Sequence, residues 1–146
     1  MSDQVPGGPS GLKYLAGMKA LRELDMCSRS VTDADLAAVR DMRELRTLRL
    51  TLSRITDKGL THLRGLTKLQ RLDIDVSKVT SAGLKHLEGL KELEHLDLAL
   101  TNIDNSAVPH LRALKGLKYL NVMGTKMSQK AIEELRRYLP KATISD

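Results

Sequence analysis

Three sets of side chains in this 146-residue chain have types and spacings that could do chemistry. His62, His86 and His110 stand 24 residues apart, and a regular histidine row is a natural candidate for metal binding. Asp73, Asp75 and Asp97 form a carboxylate group that could ion-pair with a basic partner or offer oxygens to a hard cation. Cys27 is the one cysteine, so the chain forms no disulfide within itself. There is no nucleophile elbow, no glycine loop to cradle phosphate and no Cys or His pair at metal spacing. Neither an enzyme nor a cofactor is expected.

The histidine step of 24 belongs to the whole chain. Leu21, Leu45, Leu69, Leu93 and Leu117 keep it, as do Leu24, Leu48, Leu72, Leu96 and Leu120. So do Met26, Leu50, Ile74, Leu98 and Val122, and so do Leu36, Leu60, Leu84, Val108 and Ile132. A fixed period with an L-x-x-L-x-L core is the mark of one strand plus one helix per copy. On these columns the chain resembles the leucine-rich-repeat family over residues 11–146. ITDKGL at 55–60 and VTSAGL at 79–84 are similar to the "ITDxGL" half-repeat of cysteine-containing and bacterial members of that family. The cysteine of the cysteine-containing class is missing, because its column reads Arg29, Ser53, Ser77, Thr101, Thr125. Ubiquitin-ligase function is therefore not carried over to this chain itself.

The resemblance implies an α/β solenoid with a parallel sheet on its concave face and short helices on its convex face. Residues 1–10, with two Pro and two Gly, read as a flexible lead-in. Residues 11–17 form a half-repeat, expected to be a helix; full repeats run over 18–41, 42–65, 66–89, 90–113 and 114–137, and a C-terminal cap to 146 is expected, which would make Asp146 a natural end. The strand of a copy should span about five residues, with Leu72 and Ile74 inward and Arg71, Asp73 and Asp75 outward. The hydroxyls of Ser53, Ser77, Thr101 and Thr125 should bond the following turn. Thr56 or Asp57 should cap the helix and Gly65 stop it. Ser106 should cap the copy in which Pro109 then falls within the first turn. Gly59 and Gly83, inside the helix, imply close packing of helix on strand.

These elements constrain the candidate chemistry. The three histidines fall on neighbouring helices about 8–10 Å apart, whereas a metal needs nitrogens about 2 Å from one centre. They read as a solvated row, with no metal. The net charge of +6 is spread over columns such as Arg40, Arg64, Arg112, Arg136 at helix C-termini. Without interleaved aromatic residues for base stacking, no nucleic-acid partner is expected. The concave columns are more informative: Glu23, Thr47, Arg71, His95, Tyr119; Asp25, Arg49, Asp73, Asp97, Asn121; Cys27, Thr51, Asp75, Ala99, Met123. Asp73 and Asp97 are lateral neighbours of like charge, which destabilises a sheet unless relieved. Two readings stay open: relief by Arg49 and Arg71, or a recognition patch for a basic segment of a partner. The column Leu52, Val76, Leu100 is equally two-sided: the aliphatics thicken the core, or they form an apolar stripe on the rim.

No run of about 18 apolar residues is present, and the start has no apolar leader segment. The chain is expected to be cytoplasmic, off the membrane and monomeric in isolation. Its expected role is a protein-binding scaffold whose concave face uses Arg49, Arg71, Asp73, Asp75, His95, Asp97 and Tyr119, with Leu52, Val76 and Leu100 beside them. The alternatives are a structural subunit or assembly factor of a larger complex, or the substrate-recognition part of a larger enzyme such as a ubiquitin ligase.

Overall fold

The computed structural model describes residues 14–146; the lead-in and the first part of the half-repeat lie outside the described residues. Six parallel strands follow in chain order, β1 (Glu23–Asp25), β2 (Thr47–Arg49), β3 (Arg71–Asp73), β4 (His95–Asp97), β5 (Tyr119–Asn121) and β6 (Thr143–Ser145). Each pairs with the next at a register of 24, so Leu24, Leu48, Leu72, Leu96, Leu120 and Ile144 form one inward column. The strands are three residues long rather than five. Their ladder nevertheless runs on: Ile74 N–H donates to Asp97 O and Val76 N–H to Ala99 O.

Convex crossings are short in the central coils, because a 24-residue coil leaves room for one or two turns only, and the 10-residue helix of the last coil is the exception. They comprise α1 (Asp57–Leu60), α2 (Val108–Leu111) and α3 (Gln129–Tyr138), with 3-10 turns at Asp35–Val39, Thr61–Leu63, Ser81–His86 and Asn105–Ala107. Thr56 caps α1, its Oγ1 accepting from Lys58 N–H, and Ser128 caps α3. The cap ahead of Pro109 is Asp104, not Ser106; Pro109 still falls in the first turn of α2, where its missing N–H costs no bond. Gly65 follows α1 without a left-handed conformation, so the turn itself ends the helix. Of the expected half-repeat helix only its end is described, Tyr14 in a 3-10 conformation followed by a turn over 15–17, with Leu15 buried against the first coil. The core between sheet and convex crossings is almost entirely aliphatic, and Leu48, Leu50, Leu60, Leu63, Leu72 and Ile74 are wholly buried.

Gly59 and Gly83 do reflect close packing, but against the preceding coil's acid instead of a strand. Asp33 accepts from Thr56 N–H and Oγ1, both at 2.7 Å. Asp57 accepts from Thr80 N–H (2.8 Å) and Oγ1 (2.6 Å). A Cβ on Gly59 would lie 2.5 Å from Asp33 Oδ1. One on Gly83 would overlap Asp57 Oδ1. Where the same column holds Ala107, the preceding acid is replaced by the shorter Ser81, whose hydroxyl bonds Asp104 at 2.8 Å.

Candidate functional site

The short inter-strand spacing brings the concave side chains together. Asp73 lies opposite Asp97, and Arg71 opposite His95. Relief of the like charge is direct: Arg71 Nε donates to Asp73 Oδ2 at 2.9 Å, and Arg49 Nε sits 3.4 Å from the same oxygen. Asp73 Oδ1 accepts no hydrogen bond and lies 3.5 Å from His95 Nε2. Covered on three sides, Asp73 is only 5% exposed. The expectation that it faces a partner is corrected: it is a buried anchor that fixes Arg49, Arg71 and His95, because neighbours about 4.8 Å away close over a short side chain.

The other predicted residues remain partly open. Asn121 Nδ2 donates to Asp97 Oδ2 at 3.1 Å, and Ala99 N–H donates to Asp97 Oδ1. Thr51 Oγ1 donates to Asp75 Oδ1 at 2.8 Å. Burial pushes the Asp75 carboxyl above its ordinary range, with the Thr51 bond opposing it and Asp97 and Asp73 adding to the rise. His95 and Tyr119 stack at 4.5 Å between ring centres and 20° between planes. Burial and then the Arg71 charge lower the His95 pKa from its ordinary value, against the opposing charges of Asp73 and Asp97, which favours the neutral ring. The face therefore presents two guanidiniums, two carboxylates and a flat ring pair, with exposed Met123 beside them.

The aliphatic column has turned outward. Leu52, Val76 and Leu100 are 41%, 36% and 63% exposed, and form a rim along the concave face. They share φ of 63°, 53° and 56°, while Gly124 in the next coil has 67°. The left-handed region costs an L-residue roughly 1–2 kcal/mol, and a β-branched one such as Val is a marked outlier there. The turn imposes it: Ser53 N–H donates back to Leu50 O and Thr125 N–H to Val122 O, with the left-handed residue third of four, a place that favours Gly or Asn. The ladder holds it: Leu52 N–H donates to Asp75 O and Leu100 N–H to Met123 O. Leucine in this column gave no hint of positive φ, which is why the sequence left the rim undecided. Of the hydroxyl column behind it, Thr101 and Thr125 bond Leu98 O and Val122 O, but Ser53 and Ser77 Oγ are buried without a partner.

On the convex side the histidines part company. His86 is buried, correcting the solvated reading, and its Nδ1 accepts from Arg64 Nε at 2.9 Å. Burial and the Arg64 charge lower its pKa. His110 Nδ1 instead lies 2.5 Å from Glu88 Oε1. No cluster of three or more His, Cys, Asp or Glu among the described residues could hold a metal ion, and no described helix is long and apolar enough to cross a membrane.

No family model matches the chain, and no curated protein does. Solved structures do. An internalin (inlF) from Listeria monocytogenes is similar over 92% of this chain with a TM-score of 0.80 and 21% identity. An internalin C2 from the same species covers 91% with a TM-score of 0.72 and 25% identity. A leucine-rich-repeat protein of Leptospira interrogans covers 90% with a TM-score of 0.59 and 21% identity. This chain spans 37%, 54% and 38% of their respective lengths. A 24-residue period, a parallel sheet paired in strict chain order and these likenesses converge: the chain has the leucine-rich-repeat fold, an α/β solenoid.

Proposed function

We propose that this solenoid is a protein-interaction module whose concave face holds a partner with a basic segment. The observation that carries the reading is the pre-set face around Asp73: a buried carboxylate fixes Arg49, Arg71 and His95, and leaves Asp75, Asp97 and the His95–Tyr119 stack open to a ligand. A partner's lysine or arginine would sit over the ring pair and bond Asp97, gaining a cation–π contact and an ion pair together. Likeness to other leucine-rich-repeat structures supports protein binding in general. A cytoplasmic, monomeric scaffold with no catalytic step belongs to the same reading; the lone Cys27 suits a reducing compartment.

The test compares wild type with Asp97→Lys/Tyr119→Ala as bait for extracts of the source cells, with retained proteins identified by mass spectrometry. Asp73 is left intact, because a lysine there would sit against two arginines. A protein kept by wild type and lost from a variant of unchanged melting temperature supports the concave site. Identical retained sets reject it.

A further inference from the structure

Beside the apolar rim runs a second row that sequence reading did not single out. Arg54, Lys78, Asn102 and Lys126 stand two residues after Leu52, Val76, Leu100 and Gly124, and all four are exposed. Their N–H groups donate to Val31, Ile55, Val79 and Ile103 of the preceding coil at 2.8–3.1 Å. The row therefore advances one coil at a time, in step with the ridge. None of the three cations is ion-paired among the described residues. The rim is an aliphatic ridge with a basic flank, on which Asp104 lies within electrostatic reach of Lys126 but makes no ion pair with it.

We propose that this rim docks an amphipathic helix of a partner protein, its apolar stripe on Leu52, Val76 and Leu100 and its acidic flank against Arg54, Lys78 and Lys126. The inference rests on the reading of the chain as a protein-binding module, but uses a different surface from the concave patch. Spacing selects the helix. Coils recur at about 4.8 Å and helical turns at about 5.4 Å, so residues i, i+4 and i+7 stay within about 1 Å of three successive ridge residues. An extended strand repeats a face every 6.6–6.8 Å and drifts out of step by about 4 Å over the same ridge. Charge selects the flank: three cations call for acids on one side of the stripe. A second copy of this chain would bring only two acids to the ridge's edges, Asp75 on the concave side, where the column otherwise reads Cys27, Thr51, Ala99 and Met123, and Asp104 near Lys126 on the other. Backbone conformation points the same way, because Gly124 shows the turn closing without an aliphatic side chain.

The experiment titrates the full chain with two synthetic helical peptides of about 14 residues, each with leucines at i, i+4, i+7 and i+11, enough for the ridge plus one turn. One carries glutamates along one flank and the other carries lysines there. Backbone amide shifts and anisotropy report binding. The expected result is saturable binding of the acidic peptide with shifts centred on Leu52, Val76 and Leu100, at least about tenfold weaker binding of the lysine peptide, and reversed preference in Arg54→Glu/Lys78→Glu/Lys126→Glu. Leu52→Asn/Val76→Asn/Leu100→Asn should lose binding while melting no lower than wild type, since Asn accepts positive φ. The charge-reversed variant carries the test should that triple variant unfold. Asp97→Lys/Tyr119→Ala should bind the peptide normally, which separates failure of the concave reading from failure of this one. No rim shifts, or equal affinity for both peptides, overturns the proposal. So does concentration-dependent self-association abolished by the triple Asn variant, which would assign the ridge to a second copy. Rim-dependent binding to phosphatidylserine vesicles without peptide binding would overturn it in favour of a membrane surface.

Discussion

The convex clasp and the concave rim are built from the same repeat, yet resolve their crowding in opposite ways. At the clasp, the tight contact of Asp57 with Gly83 is answered within the fold: the acid satisfies Thr80, and glycine makes room for it. At the rim, Leu52, Val76 and Leu100 hold a left-handed backbone and still show their side chains to solvent. A contact that the fold satisfies is structural in origin. At the rim the ladder holds the strained backbone but leaves the side chains exposed, which is the feature proposed to dock a partner's helix.

The comparison breaks most visibly at the clasp. Gly83→Val should destabilise the domain by about 3 kcal/mol, because the side chain must displace Asp57 and strand Thr80 N–H. Chemical denaturation measures it, and the milder Gly83→Ala should recover in part when combined with Asp57→Ser, the pairing found at Ser81 and Ala107. A loss under 1 kcal/mol for Gly83→Val would show that the clasp gives way freely. Next comes the buried anchor of the concave face: Asp73→Lys should cost about 3 kcal/mol by placing a third cation against Arg49 and Arg71, while Asp97→Lys, at a half-open site, should cost less than about 1 kcal/mol. Thermal melting of the two variants side by side checks the contrast.

At the rim the sign should invert. Val76→Gly should stabilise by about 1 kcal/mol, since glycine takes φ of 53° without a Cβ penalty. A destabilised Val76→Gly would mean that the aliphatic ridge supports the core after all. The smallest effect is on pH. His86 and His95 both have lowered pKa values, so the unfolded chain takes up their protons first as pH falls below 6.5. Stability is fully present above 6.5 and declines as pH drops through the lowered values. His86→Gln should flatten that slope in denaturation curves between pH 7 and 5, and an unchanged slope would remove His86 from the account.

Legibility differed between these regions for a physical reason. The inward columns were readable because burial of leucine at period two and period 24 leaves one arrangement of strand and coil. Asp73 and Asp97 were readable as neighbours from register alone. Whether Asp73 stayed open was not, since that depends on which way Arg49, Arg71 and His95 lean across adjacent strands. Glycine at 59 and 83 signalled crowding, but its partner lay 26 residues back, on the previous coil. The cap of the Pro109 copy went to Asp104, because its side chain also reaches Ser81 in the coil before.

By itself, then, the sequence determined the solenoid, its register and its leucine core, because a repeated hydrophobic pattern has few ways to bury itself. Only the tertiary structure decided which polar groups sank and which aliphatic ones surfaced. Those outcomes depend on lateral contacts between coils and on a left-handed turn that closes one side of every central coil, and neither is encoded in any single copy.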